Sequence, residues 1–173
     1  MSKGYLNVRM DVSKFIKDLN AMTKGPDSIY RAGGRALREA LMEDFEILVK
    51  ETPQFSGSTA ASWQIGFPED TYGDGTPGSD YVELPKPSGA DEAMRRGNDP
   101  AVTIATTRAR ANLFHTDPER FVRQSIVILN NSPGFETAEE GPVRPENTPP
   151  GALKRFEARF ATREIIVDFQ KGK

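Results

Sequence analysis

The chain has 173 residues, a length that suits a single domain built around one core. It contains no cysteine and one histidine, which excludes a disulfide framework and a thiolate metal site, so we expect neither a metal nor a cofactor. No stretch approaches the roughly 20 apolar residues of a membrane helix, and the first ten residues lack the apolar core of a signal peptide. These features predict a soluble protein assembled in a reducing cytoplasm, without a membrane partner.

The net charge of -2 is distributed unevenly along the chain. Residues 51–100 contain nine acidic and three basic side chains, whereas residues 1–50 and 101–173 each have two more basic than acidic side chains. A nearly neutral chain argues against a dedicated nucleic-acid binder, which needs many contacts from lysine and arginine to phosphates.

The first third of the sequence predicts one strand and two helices. The side chains of residues 5–10 alternate in character, which predicts an edge strand. Apolar residues at three- and four-residue spacing then predict a helix over 11–24, which a Gly-Pro pair ends. A longer helix follows from Asp27 to about Lys50. Its apolar stripe is formed by Ile29, Gly33, Ala36, Leu37, Ala40, Leu41, Phe45 and Leu48.

Two adjacent glycines, Gly33 and Gly34, lie inside the long predicted helix. Each weakens a helix by up to about 1 kcal/mol relative to alanine. Close packing against a neighbouring backbone would account for them, and a flexible bend is the alternative.

The middle of the chain predicts a strand and a long insertion. After Thr52, residues 56–59 form a turn, and a strand centred on 63–67 follows, which Trp63 anchors to the helices. Residues 68–100 contain five prolines and five glycines and no regular period. We therefore treat 68–120 as an insertion, with a weak helix over 101–112. We expect residues 68–100 to be mobile in a free subunit and to become ordered on assembly.

The last third predicts a strand, an extended arm and a helix. The β-branched run 125–130 ends in a turn, and residues 135–141 can form one helical turn. Four prolines then space out a rigid segment, followed by a helix with Leu153, Phe156 and Phe160 on its apolar face. Residues 165–169 either continue this helix or form a closing strand.

The order of these elements predicts an α+β fold over residues 1–173, in which two or three helices pack on one face of a small antiparallel sheet. The polar faces of the last helix and its arm carry basic side chains. We expect four of them to contact a neighbouring subunit, where the acidic insertion offers a complementary surface: Arg144, Lys154, Arg155 and Arg159. Because exposed charges contribute little to folding, exchanging Arg155 and Arg159 for glutamate should change the stability of the monomer by less than about 1 kcal/mol.

Three passages resemble the head-tail joining and tail-completion proteins of tailed bacteriophages, including the minor tail protein Z-like group. Residues 49–53 followed by 57–63 are similar to the family's TPVDTGRLRASW passage. Residues 128–135 followed by 139–141 are similar to its NNLPYA…LEYG passage, and 149–156 lie where the family begins its final helix. The chain departs from the family at 54–56 and at 135–136.

The resemblance implies a structural protein of the virion, with no catalytic residue to transfer. It implies a ring of identical subunits, hexameric by analogy, in the neck that joins the head to the tail. The expected partners are further copies of the chain and the neighbouring neck, connector or tail-tube proteins, with passive passage of genomic DNA through the ring. A tail-terminator ring is the alternative role. The expected location is the virion, and the host cytoplasm during assembly.

Enzymatic chemistry has two weak candidates in the sequence. His115 and Asp117 could be combined with Ser62 or Ser125 as a triad, but no glycine pattern typical of a nucleophile elbow surrounds either serine. Carboxylates on the long helix could hold a metal, but neighbouring arginines favour a solvated or subunit-contacting charged face instead. The acids concerned are Glu39, Glu43, Asp44 and Glu46, and the nearest arginines are Arg35 and Arg38.

Nucleic-acid binding is a separate hypothesis that rests on arginine clusters. These clusters are Arg31, Arg35 and Arg38, then Arg95 and Arg96, then Arg108 and Arg110. No aromatic residues alternate with these arginines, and the domain is not strongly basic. We therefore expect the clusters to be ordinary solvated surface rather than a site of specific DNA recognition.

Overall fold

The computed structural model describes residues 26–52, 57–68, 82–85, 99–141 and 150–166. The predicted strand over 5–10, the predicted helix over 11–24 and Arg144 lie outside these ranges. In chain order the described elements are α1 (Pro26–Glu51), α2 (Ser58–Ala61), β1 (Trp63–Gly66), α3 (Asp99–Phe114), α4 (Arg120–Arg123), β2 (Val127–Asn130), α5 (Phe135–Glu140) and α6 (Ala152–Thr162).

The long helix α1 is the element around which the others pack, and it contacts α2, α3, α4 and α6. Leu37, Leu41, Phe45 and Leu48 recur at three- and four-residue spacing and have no exposed surface. Burying each such side chain contributes roughly 1.5–3 kcal/mol, which outweighs the cost of the two glycines. The helix predicted from Asp27 to about Lys50 is confirmed.

Within the described ranges the sheet has two antiparallel strands, in which Trp63 is opposite Asn130 and Gly66 is opposite Val127. All four residues of β1 are buried, and on the side of α3 the amide of Asn112 donates to the carbonyl of Ile65 at 3.2 Å. Together with the helices packed around it, this pair makes the fold α+β, as the sequence predicts.

Helix α3 is a core element, although the sequence placed it inside a loop. Ala101, Ala105, Ala109 and Leu113 follow one another every four residues and are all buried, against α1, α2 and β1. Their small side chains let the helix backbone approach its neighbours closely. The weak helix predicted over 101–112 is therefore confirmed, but the description of 68–120 as an insertion is wrong from Asp99 onwards.

Residues 82–85 are also packed on the fold. The backbone N–H of Val82 donates to the hydroxyl of Ser62 at 3.1 Å, and that of Leu84 donates to the hydroxyl of Ser58 at 2.9 Å. Both apolar side chains pack against the core. The expectation that 68–100 makes contacts only on assembly is therefore wrong at these four residues. The other described residues of that range are Pro68 and 99–100.

The described chain beyond α6 is neither helix nor strand. The helix ends at Thr162, and the backbone is extended at Arg163, with φ -70° and ψ 128°. The last helix therefore does not continue into 165–169. The alternative of a closing strand extends beyond Ile166, outside the described residues. Among the helices that the structure describes, none combines the length and apolar character that crossing a bilayer requires.

Gly34 lies where α1 meets the chain between α3 and α4. A Cβ atom there would lie 1.8 Å from the carbonyl oxygen of Pro118, which is held in place because it accepts a hydrogen bond from the N–H of Phe121 at 3.1 Å. Close approach of two backbones therefore explains this glycine, as one of the two sequence interpretations proposed.

We expect Gly34→Ala to lower the free energy of unfolding by about 1–3 kcal/mol, even though alanine is the better helix former. The overlap is with backbone, so no side chain can rotate to relieve it. Chemical denaturation measures the change, and Gly33→Ala, one residue earlier in the same helix, is the matched control. If both variants are equally stable, the close contact does not constrain the fold.

Candidate functional site

Helix α6 packs on the C-terminal half of α1 through one apolar face and one charged face. Leu153 and Phe156 are buried, and Phe160 stacks on Phe156 with ring centroids 5.9 Å apart. The charged face carries three arginines at four-residue intervals, Arg155, Arg159 and Arg163. This spacing places them on the side of α6 that faces α1.

Asp44 of α1 is the centre of this charged contact and has no exposed surface. Its Oδ1 accepts a hydrogen bond from Nε of Arg159 at 3.0 Å, and its Oδ2 lies 3.0 Å from Nη1 of Arg163. Each carboxylate oxygen thus lies beside its own guanidinium, although the N–H of Arg163 is poorly aligned with Oδ2. The two positive charges lower the cost of burying the carboxylate.

Glu51 and Glu43 extend the network in both directions along α1. Nε of Arg155 lies 3.2 Å from Oε2 of Glu51, and Nη1 of Arg159 lies 3.4 Å from Oε1 of the same side chain. Arg155 also donates to the backbone carbonyls of Glu51 at 3.1 Å and Pro150 at 2.8 Å. At the other end, Arg163 is hydrogen-bonded to Glu43.

The pKa of Arg163 reflects this environment. Burial opposes the charged form most strongly, but hydrogen bonds to Glu43 and Asp44 and their negative charges outweigh it, so the pKa is raised above its usual value. The guanidinium therefore stays charged throughout the physiological pH range.

The residues predicted to face another subunit have different positions in the structure. Lys154 is exposed, whereas Arg155 and Arg159 are half-buried and bound to α1 within the same chain. The view of Arg155 and Arg159 as exposed charges is therefore wrong, and with it the reason given for expecting a small effect on stability. Their contact with a neighbouring subunit stays a prediction.

Sequence reasoning missed Asp44 and Glu51 as partners of these arginines. Asp44 was grouped with the acids of a solvated face, although position 44 falls between Leu41 and Leu48 at helical spacing, inside the apolar stripe. A single charge within such a stripe indicates a buried ion pair, and this signal was present in the sequence.

The three passages that carry the family resemblance meet beside this network. Nε1 of Trp63 donates to Oγ1 of Thr52 at 2.7 Å, and the Trp63 ring meets the edge of Phe135 with centroids 5.6 Å apart. The amide of Asn130 donates to the carbonyl of Thr59 at 2.7 Å, and Arg155 joins the third passage to Glu51. The prediction that Trp63 anchors its strand is confirmed.

Glu139 of α5 holds the start of α6. Its two carboxylate oxygens accept from the N–H of Leu153 at 3.1 and 3.2 Å, next to Gly151, whose φ of 88° turns the chain into the helix. Burial raises the pKa of Glu139, although the hydrogen bond from Leu153 and the charges of Arg155 and Lys154 act in the opposite direction.

The candidate enzymatic groups do not assemble within the described residues. His115 is exposed, whereas the buried hydroxyl of Ser62 donates to the carbonyl of Ser58 at 2.7 Å and accepts from Val82. Glu43 binds Arg163 and does not share a metal site with Glu39. In the described ranges no three acidic or histidine side chains are grouped as a metal would need.

We expect Arg159→Gln to lower the free energy of unfolding by about 2 kcal/mol. This is less than the cost of breaking a fully buried pair, because Arg159 is partly exposed and Arg163 stays with Asp44. Lys154→Gln removes an exposed charge from the same helix and should cost less than about 0.5 kcal/mol. Equal stability of the two variants in urea denaturation would contradict the role of the network in folding.

Stability should depend on pH through Glu139. Because its folded-state pKa lies above the ordinary value of 4.5, its contribution is fully present below that value and is lost as the pH rises through the folded-state pKa. We expect the stability of the wild type relative to Glu139→Gln to fall as the pH rises above the ordinary value of 4.5. Glu140→Gln, an exposed neighbour, is the control, and a difference that rises with pH would refute the assignment.

Comparison with protein families, with curated proteins and with solved structures gives no significant match to this chain. The resemblance to tail-completion proteins therefore rests on the three sequence passages and on their order.

Proposed function

We propose that this protein is a structural subunit of a tailed-phage virion, which assembles with further copies into a hexameric ring in the neck and completes or joins the tail there. Its partners are other copies of the chain and the rings on either side. The protein acts by binding and by shape, and its role requires no cofactor.

One observation supports this proposal most. The three passages that resemble the family are far apart in the sequence, yet they form a single contact region that includes Thr52, Trp63, Phe135 and Arg155. Residues that hold a fold together are the ones whose order and spacing a structural family must keep. The resemblance therefore concerns the framework of the subunit, which fits a family defined by its architecture rather than by a reaction.

We expect the purified protein to form closed rings of one size. Native mass spectrometry gives the number of copies, and negative-stain electron microscopy shows whether the particle is closed around an axis. A protein that stays monomeric at high micromolar concentration, or that forms open filaments, would contradict the proposal.

The same preparation tests the enzymatic alternative. A structural subunit should show no hydrolase or nuclease turnover with magnesium, manganese or zinc. Turnover that depends on the metal and disappears in both Glu39→Ala and Glu43→Ala would replace the structural role by a catalytic one.

A further inference from the structure

Two clusters of arginines lie along α1. Arg155, Arg159 and Arg163 form the first, which is neutralised by Glu43, Asp44 and Glu51. A second group lies at the other end of α1, where it meets the end of α3. We call it the arginine surface, and it consists of Arg31, Arg35, Arg38, Arg110 and Phe114.

The arginine surface is built from two helices. Residues 31, 35 and 38 are separated by one turn of α1 each and share one side of it. The guanidinium of Arg38 lies 4.2 Å from the centroid of the Phe114 ring and that of Arg110 lies 5.8 Å from it, so the aromatic ring joins α1 to α3. Phe114 stays 38% exposed and is one of two large apolar side chains that are exposed in the described part of the chain.

The nearby acids compensate this charge only weakly. Asp117 lies 3.7 Å from Arg31, with both side chains more than half exposed, and Glu39 lies 4.0 Å from Arg38. Arg35 and Arg110 are exposed and have no acidic partner within the described ranges. Nε of Arg38 has no acceptor there either. The surface therefore carries a surplus of positive charge around an exposed aromatic ring.

This composition suits a binding surface for an acidic polypeptide. Arginine and aromatic side chains are enriched where proteins bind one another, and opposite charge selects the partner. Nucleic acid is the less favourable occupant, because the chain as a whole is negative and its acidic residues would repel phosphates.

The chain itself contains an acidic stretch of the required kind. Between positions 69 and 81 it has four acidic side chains, no basic one and two tyrosines. We propose that the arginine surface of one copy binds residues 69–81 of the adjacent copy, through ion pairs to Arg35 and Arg110 and apolar contact with Phe114. This inference rests on the proposed ring, since a head-to-tail contact between unlike surfaces is what closes a cyclic assembly.

The test uses two charge-reversal variants of the full chain. The first reverses the surface with Arg35→Glu and Arg110→Glu, and the second reverses the stretch with Asp70→Lys and Asp74→Lys. Lys50→Glu, which reverses an exposed charge at the far end of α1, is the control. Analytical ultracentrifugation measures self-association, and thermal melting checks that each variant is folded.

Each reversed variant alone should associate at least tenfold more weakly than the wild type, because like charges then meet at every contact. An equimolar mixture of the two should recover the ring, with alternating copies, since every contact again joins opposite charges. A single chain with all four substitutions should also recover it. The control should associate like the wild type.

The remaining outcomes separate the two proposals. If the wild type does not associate at all, the proposed ring and this contact both fail. If the wild type and both reversed variants associate equally, only this contact is overturned and the ring stands. If association recovers in the four-substitution chain but not in the mixture, the surface and the acidic stretch bind each other within a single chain. If the reversed surface loses binding to duplex DNA but still assembles, the occupant is nucleic acid.

Discussion

A carboxylate that is buried within the first described helix determines how the last helix lies against it. Asp44 has no access to solvent, and an isolated buried charge costs several kcal/mol. Arg159 and Arg163 remove most of that cost only if α6 and the residues after it keep one rotation and one position along α1. An apolar contact of the same size would tolerate sliding, because dispersion and burial are not directional. The ion pairs therefore set the register of the two helices.

Three kinds of packing follow one another along α1. Near its start, Gly34 allows contact with the backbone at Pro118. In its centre, large apolar side chains fill the core with the alanines of α3. Towards its end, acids bind the arginines of α6. The arginine surface lies beside the first of these regions and the ion-pair network forms the last, so one helix links the proposed binding surface to the place where the three sequence passages meet.

The sequence predicted the elements with strong periodicity and missed those whose signal is faint. The stripe of α1 and the strands at Trp63 and Ile128 were readable from the spacing and type of the residues, and the order of the elements predicted the antiparallel sheet of an α+β fold. Helix α3 was predicted only as a weak helix inside an insertion. Its place in the core was missed because alanine is only weakly apolar, so its four-residue period stands out little against neighbouring threonines. The ion-pair network was harder still to predict. Arg155 and Arg159 were recognised as a basic face, but their partners are about a hundred residues away in sequence, and only the fold brings them together.

The two serine hydroxyls that hold Val82 and Leu84 also affect how this chain can change in evolution. They hold residues 82–85 on the fold, so the chain before Val82 and the chain after Pro85 each run between two fixed points. Because the entropy of closing a chain segment grows only with the logarithm of its length, residues can be added on either side of 82–85 at little cost in stability. A change in the length or charge of the sequence 69–81 therefore need not disturb the chain that leads into α3.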